Sequence, residues 1–230
     1  MPANLPGLAQ HMPALGVTST GQRVLCSAQC NYRTDISTSF TYIVNASGLY
    51  QVYGVGGAGG GGRSGNSNYA CGGGAATVGR RLVSLVAGQV ITGTLGVCGF
   101  GKLGGSGNGV AGGNTTIVFP DGVQMVCPGG LAGMNFGSVG PGQGSGAAQP
   151  ATGADEFATG NSSVAPLTGG VPVASGATGT VAGLFGNPGL LSILGGLSPY
   201  AFPPPGVGGQ AGLGGDANNG GPSMFLIVQG

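Results

Sequence analysis

Charge is the first thing this chain lacks. Six Lys or Arg and five Asp or Glu in 230 residues leave a net charge of +1. The basic residues (Arg23, Arg33, Arg63, Arg80, Arg81, Lys102) all lie in the first half, and no charge of either sign stands between Glu156 and Asp216. So few cations build no basic face, which argues against a nucleic-acid groove. The Arg80-Arg81 pair reads as a solvated strand or turn position.

Tryptophan is absent and His11 is the only histidine, so a Ser-His-Asp or Cys-His arrangement would depend on one residue near the N-terminus. Asp155 and Glu156 are the only adjacent carboxylates, and neighbours in an extended chain point to opposite sides. Zinc at Cys26, Cys30 and His11 would lack a fourth ligand and the usual spacing. The chain is therefore expected to be no enzyme, with no cofactor, no metal and no catalytic residues.

Long apolar runs are missing too. Nothing approaches the roughly 18 residues that a membrane-spanning helix needs. The nearest stretch, residues 183–200, is broken by Pro188, Pro199 and several glycines, and reads as a buried or interface loop. The N-terminal MPANLPGLAQHMPALG has no early positive charge followed by an apolar core, so it does not read as a signal peptide. The cysteine count is odd: Cys26, Cys30, Cys71, Cys98 and Cys127. Disulfide frameworks favour even counts; Cys26 and Cys30 could pair locally, and buried free thiols acting as small hydrophobes fit equally well.

What the chain has is glycine, 56 of them, with 15 prolines. Such a share usually flags disorder. Disordered chains, however, are charged and poor in apolar residues, whereas this one is 5% charged and 40% apolar. It is expected to fold and to assemble. The organising stretch is residues 49–62, LYQVYGVGGAGGGG, where a strand runs straight into a glycine run. Glycine in extended structure gives up backbone entropy and packs no side chain. Close backbone approach must recover that cost, which makes Gly54, Gly56, Gly57, Gly59, Gly60, Gly61 and Gly62 structural glycines.

Period-2 alternation predicts the remaining strands. Residues 36–54 read as a hairpin turning at Asn45-Ala46-Ser47-Gly48, with Phe40, Tyr42 and Val44 on one face. Residues 75–97 read as a second hairpin bent at Ala87-Gly88. Strands 115–119 and 123–127 flank Pro120-Asp121-Gly122, a strong turn sequence. From 128 to 222 alternation stops, and glycine and alanine recur every two to four residues between prolines. The spacing is not Gly-X-Y, so this is not collagen; it suits polyproline-II-like or extended segments lying side by side. SMFLIVQ at the end reads as a buried strand. Four regions follow: an extended arm at 1–35 for docking, a β framework at 36–127, a Gly/Ala/Pro-rich insertion at 128–222, and a closing strand at 223–230. The fold class is all-β, a small β-sandwich-like framework with essentially no α-helix.

Two nucleotide-binding patterns occur and neither is persuasive. Residues 54–59 fit G-x-G-x-x-G, but GGGRSG follows where a helix should open, and no acid lies between Asp35 and Asp121. Residues 96–103 match a P-loop except that Leu103 stands where a hydroxyl must reach magnesium. In a chain this rich in glycine both are expected by chance. Asn45, Asn114 and Asn161 begin glycosylation-type triplets that mean little without a secretory signal. The better recognition candidates are Phe185, Leu190, Leu191, Tyr200 and Phe202. Tyr200 and Phe202 lead into a proline-stiffened loop, and rigid aromatics lose little rotamer entropy on contact. The plain alternative is that these side chains fill a subunit interface.

GVGGAGGGG after a strand, then ATVGRRLVSLVAGQVITGTLGV, GGNTTIVF, a DG hairpin and a terminal apolar strand form an order of patterns. Over residues 36–230 that order resembles the glycine-rich domain of bacteriophage tail fibres and tail-tip adhesins. The chain departs from it in lacking a tryptophan in the first strand and in its long insertion. The resemblance implies a β-sandwich, polyglycine-II-like packing, and distal loops that meet a host-surface polysaccharide or an outer-membrane protein. It also implies a place in the virion, with assembly in the host cytoplasm. A purely architectural virion component, docked on another virion protein through residues 1–35, is the alternative. Near absence of surface charge makes a soluble monomer difficult, so self-association, as a homotrimer, is expected.

Overall fold

The computed structural model describes residues 12–17, 23–64, 69–137, 149–159, 208–209, 211–213 and 216–229. Their strands are β1 (Met12–Val17), β2 (Arg23–Asn31), β3 (Thr38–Ile43), β4 (Gly48–Val55), β5 (Arg63–Ser64), β6 (Tyr69–Ala70) and β7 (Val78–Leu85). Then come β8 (Val90–Leu95), β9 (Thr115–Val118), β10 (Gln124–Cys127), β11 (Asn135–Gly137), β12 (Glu156–Ala158), β13 (Gly212–Leu213) and β14 (Ser223–Gln229). No helix occurs among the described residues, and so none that is long and apolar enough to cross a membrane. The chain is all-β.

Two antiparallel sheets carry the core, one in the order β1-β2-β14-β4-β7-β12 and the other β10-β9-β8-β3. Alternation decides which side chains go inward. In β3, Phe40 and Tyr42 are buried while Ser39, Thr41 and Ile43 are exposed. Facing them from the larger sheet are Tyr50 and Val52 of β4 and Phe225 and Ile227 of β14. The Phe40 and Phe225 rings meet across the gap, 4.5 Å between centroids.

The turn at Pro120-Asp121-Gly122 closes a true hairpin of β9 and β10. Gly122 has φ +80°, the left-handed region that glycine tolerates, and the Asp121 carboxylate accepts the Val123 N–H at 3.1 Å. The other two expected hairpins are not hairpins. β3 pairs with β8 and β4 with β7, so the chain crosses between sheets at residues 44–47 and again at 86–89. The two crossings lie side by side, with Val44 N–H donating to Gln89 O at 2.9 Å and Gly88 N–H to Val44 O at 2.8 Å. Two adjacent arches thus place β3 and β8 on one side of the gap and β4 and β7 on the other.

The leading segment is also corrected. Residues 12–17 and 23–31, read as part of an extended arm, are strands, and β2 pairs along β14 from Asn31↔Ser223 to Cys26↔Val228. The terminal strand is an internal one, between β2 and β4, so β2 covers the edge that it would otherwise leave open. Residues 1–11 lie outside the described ones. Nor is 128–222 a single insertion: Ala151 reaches the core and β12 pairs along the edge of β7.

Beyond β4 the chain changes geometry. A three-residue-per-turn helix has no internal hydrogen bonds, so each N–H and C=O must find a neighbour, and successive groups point about 120° apart. Residues 56–62 behave in this way. The N–H groups of Gly57, Gly60 and Arg63 donate to Gly113, Val110 and Gly107. Those of Ala58 and Gly61 donate to Gly221 and Asn218, and those of Gly59 and Gly62 to Gly74 and Cys71. The carbonyls accept with the same period: Gly57 and Gly60 from Gly130 and Gly133, Ala58 and Gly61 from Gly99 and Lys102, and Gly59 from Gly209.

Segment 56–62 thus has six neighbours. It donates to three antiparallel ones (71–77, 107–113, 216–221) and accepts from three parallel ones (97–102, 128–134, 208–209). The six close a ring. Gly113 bonds to Val97, Gly112 to Gly130, Gly74 to Leu131, Gly73 to Gly209 and Gly220 to Gly99, and Gly209 lies against Asn218. This is hexagonal polyglycine-II packing. It was expected of the insertion at 128–222, which supplies three of the seven segments; the other four come from within residues 36–127.

At the junction of sandwich and bundle, polar side chains serve the backbone. The buried Thr115 hydroxyl donates to Val55 O at 2.7 Å, and the Ser223 hydroxyl to Gly96 O at 2.6 Å. The buried Asn31 amide donates to Gly96 O at 3.0 Å.

Candidate functional site

The bundle has a direction. Segments 56–62, 97–102 and 128–134 run out from β4, β8 and β10, while 71–77, 107–113 and 216–221 return into β7, β9 and β14. Gly62, Lys102 and Gly209, where outgoing segments end, and Cys71, Gly107 and Asp216, where returning ones begin, therefore all lie at the end remote from the sandwich. That apex is the candidate site.

The described part of the apex is held by backbone pairing and one carboxylate. Arg63 and Gly107 exchange both hydrogen bonds, at 2.8 and 2.9 Å, and β5 pairs in parallel with β13. The Asp216 carboxylate takes Arg63 Nη1 at 2.7 Å and the Gly104 N–H at 2.9 Å. Gly104 and Gly105 both have positive φ (+54° and +64°), and nothing stands within 4 Å of a Cβ built on either. Leu103 and Met134 project from the rim, and Asn108 Oδ1 accepts the Asn135 N–H at 2.7 Å. The apex offers open backbone, amide groups and isolated apolar side chains on a rigid base, which is chemistry for contact. Among the described residues no group of three or more His, Cys, Asp or Glu side chains is placed to hold a metal ion.

The expected contact residues Phe185, Leu190, Leu191, Tyr200 and Phe202 lie outside the described residues. The structural glycines Gly54, Gly56, Gly57, Gly59, Gly60, Gly61 and Gly62 are buried. A Cβ on Gly56, Gly57, Gly59, Gly60 or Gly62 would come closer than 3.0 Å to neighbouring backbone, and one on Gly54 would meet the Cys127 thiol at 2.8 Å. Sequence reasoning missed Arg63, Asn108 and Asp216. A signal was present, since Arg63, Lys102 and Asp216 are the only charges set within the glycine runs.

The other charges and the thiols serve structure. Arg80 pairs with Glu156 at 2.6 Å and Arg81 with Asp121 at 2.6 Å, so neither arginine of the doublet is merely solvated. Cys30, Cys71, Cys98 and Cys127 are free and buried, which removes the local Cys26–Cys30 disulfide. Burial pushes the Cys127 and Cys30 thiols up to about 12. Cys98, whose thiol donates to Tyr32 O and Arg33 O at 3.3 Å, is pushed up to about 11, again chiefly by burial. Thiols this far from thiolate are poor nucleophiles.

No protein-family model and no curated protein matches the chain.

Proposed function

We propose that this chain is a non-enzymatic virion structural protein, a phage tail-fibre or tip component that attaches to the host surface through the apex of its glycine bundle. One observation carries the reading: outgoing segments end and returning ones begin at one end of the bundle, while the sandwich closes the other. A seven-segment bundle whose central segment carries a single side chain, the Ala58 methyl, is a stiff rod about 20 Å long at about 3.1 Å per residue. Loops mounted on such a rod can vary in sequence without disturbing its core. The order of sequence patterns, which resembles that of tail-fibre glycine-rich domains, supports the same reading. The surface met is a polysaccharide or an outer-membrane protein, and the chain works as a homotrimer.

The test is immunogold electron microscopy of intact particles with antibodies raised against residues 101–108 and against residues 183–205. Gold at fibre or tail tips is the expected result. No gold on intact particles, with both antibodies recognising the protein in denatured particles, would overturn attachment in favour of a buried architectural role.

A further inference from the structure

We infer that the flank formed by segments 97–102, 107–113 and 128–134 is the surface through which copies of this chain associate around a threefold axis. It deepens the homotrimer of the proposed function, and its test does not depend on host attachment.

Side chains three residues apart share a row along a three-per-turn helix. Phe100 and Leu103 make one such row and Leu131 and Met134 a second. Val110 rises between them, because segment 107–113 hydrogen-bonds to both neighbours. These five are among the exposed large apolar side chains of the described residues, from 36% for Phe100 to 54% for Val110. The opposite half of the ring shows solvent no apolar side chain: residues 70–79 and 208–209 are buried, and within 216–221 only Asp216, Asn218 and Asn219 are not. One side of the bundle is thus packed or polar while the other presents apolar rows above a floor of glycine, an arrangement that marks an interaction surface.

Charge and spacing choose the partner. Four ion pairs take eight of the eleven charged side chains, and Lys102 is the only charge on these three segments. A charged partner would find almost nothing to pair with. The rows advance about 9 Å per turn, whereas an α-helix repeats every 5.4 Å or so and same-face strand residues every 7 Å or so. Another three-per-turn surface matches the spacing, and a second copy brings one. With Val110 nearest the axis, the Phe100/Leu103 row of one copy seats against the Leu131/Met134 row of the next. The side chains on this flank bar a further glycine segment from continuing the hexagonal packing, whereas three copies around one axis cover both rows of every copy.

The experiment is sedimentation equilibrium of the full chain and of the double variant Val110→Glu/Leu131→Glu, with circular dichroism as a check on folding. A trimeric parent and a variant at least tenfold weaker in association, with unchanged spectrum and melting, is the expected result. A parent that stays monomeric at 100 μM, or a trimer that the two glutamates leave intact, would overturn the inference. If the double variant fails to fold, Phe100→Cys/Leu131→Cys under mild oxidation decides. A covalently linked trimer is expected, and the absence of inter-chain crosslinks refutes the contact.

Discussion

Gly112 lies so close to the carbonyl of Gly57 that a Cβ on Gly112 would fall on the oxygen. Gly57 stands in the same relation to Val97, and Gly130 to Gly74. Within the bundle, glycine is required by space and not by dihedral angle, because each missing Cβ is where a neighbouring backbone passes.

Gly57→Ala and Gly112→Ala should therefore each lower stability by more than about 3 kcal/mol, beyond ordinary overpacking, since a backbone cannot turn aside as a side chain can. Replacing alternate glycines of 56–62 with valine should abolish folding. Gly104→Ala provides the contrast: its φ of +54° is strained for alanine, but the space is open, so about 1–2 kcal/mol is expected. Thermal melting of the three single variants separates the causes; equal losses would refute the packing account.

Thr115→Val keeps shape and removes one hydroxyl at the junction. It leaves the buried Val55 carbonyl without its 2.7 Å donor, at a cost of about 1–3 kcal/mol. Denaturant titration measures the loss, and a variant as stable as the parent would show that the hydroxyl contributes nothing there.

The Arg81–Asp121 pair ties β7 to the hairpin turn, and Arg81 also lies 4.4 Å from the centre of the Phe119 ring. Arg81, aided by the Val123 N–H, holds the Asp121 carboxyl below its usual value. With the folded-state pKa lower than the unfolded one, near 3.9, the contribution is complete above about pH 4 and is lost as pH falls through the lowered value. Asp121→Asn should cost about 1 kcal/mol at pH 7, the upper end for an ion pair with one exposed partner. Melting from pH 7 to pH 2 should show the gap between parent and variant closing in acid; a constant gap would remove the ion pair as its cause.

The buried thiols act at the other end of the scale. Cys30 and Cys127 at about 12 and Cys98 at about 11 all lie above the unfolded value near 8.5. Their contribution is complete below about pH 8.5, where both states keep the proton. It erodes as pH rises toward the folded values, because the unfolded chain ionises first. Stability should fall steadily from about pH 9 to pH 11, and Cys127→Ala should flatten the slope by about a third. In the native protein at pH 8 none of Cys30, Cys71, Cys98 or Cys127 should react with iodoacetamide, and all four should react in guanidinium. Rapid native labelling of Cys127, read by mass spectrometry, would refute its burial.

The sequence by itself determined the all-β class, the hairpin at Asp121-Gly122, the terminal strand and the need for glycine at residues 54–62. Each is a local matter: alternation in FTYIV, an unbroken apolar run in SMFLIVQ, a turn that wants positive φ, a glycine run whose entropy cost demands close packing. Tertiary structure decided the rest. Alternation shows that β3 and β4 each have an inward face, but it reads the same whether they pair with each other or, as here, with β8 and β7. The partners of Gly57 lie more than 50 and more than 70 residues on, at Gly113 and Gly130. Nothing in a glycine names its partner, since the specificity belongs to the register of the whole ring. For the same reason Arg63 and Asp216, 153 residues apart, meet at the apex without a motif. The strands on either side deliver each glycine segment to its place, and the order in which the two sheets exchange strands is a property of the packed core alone.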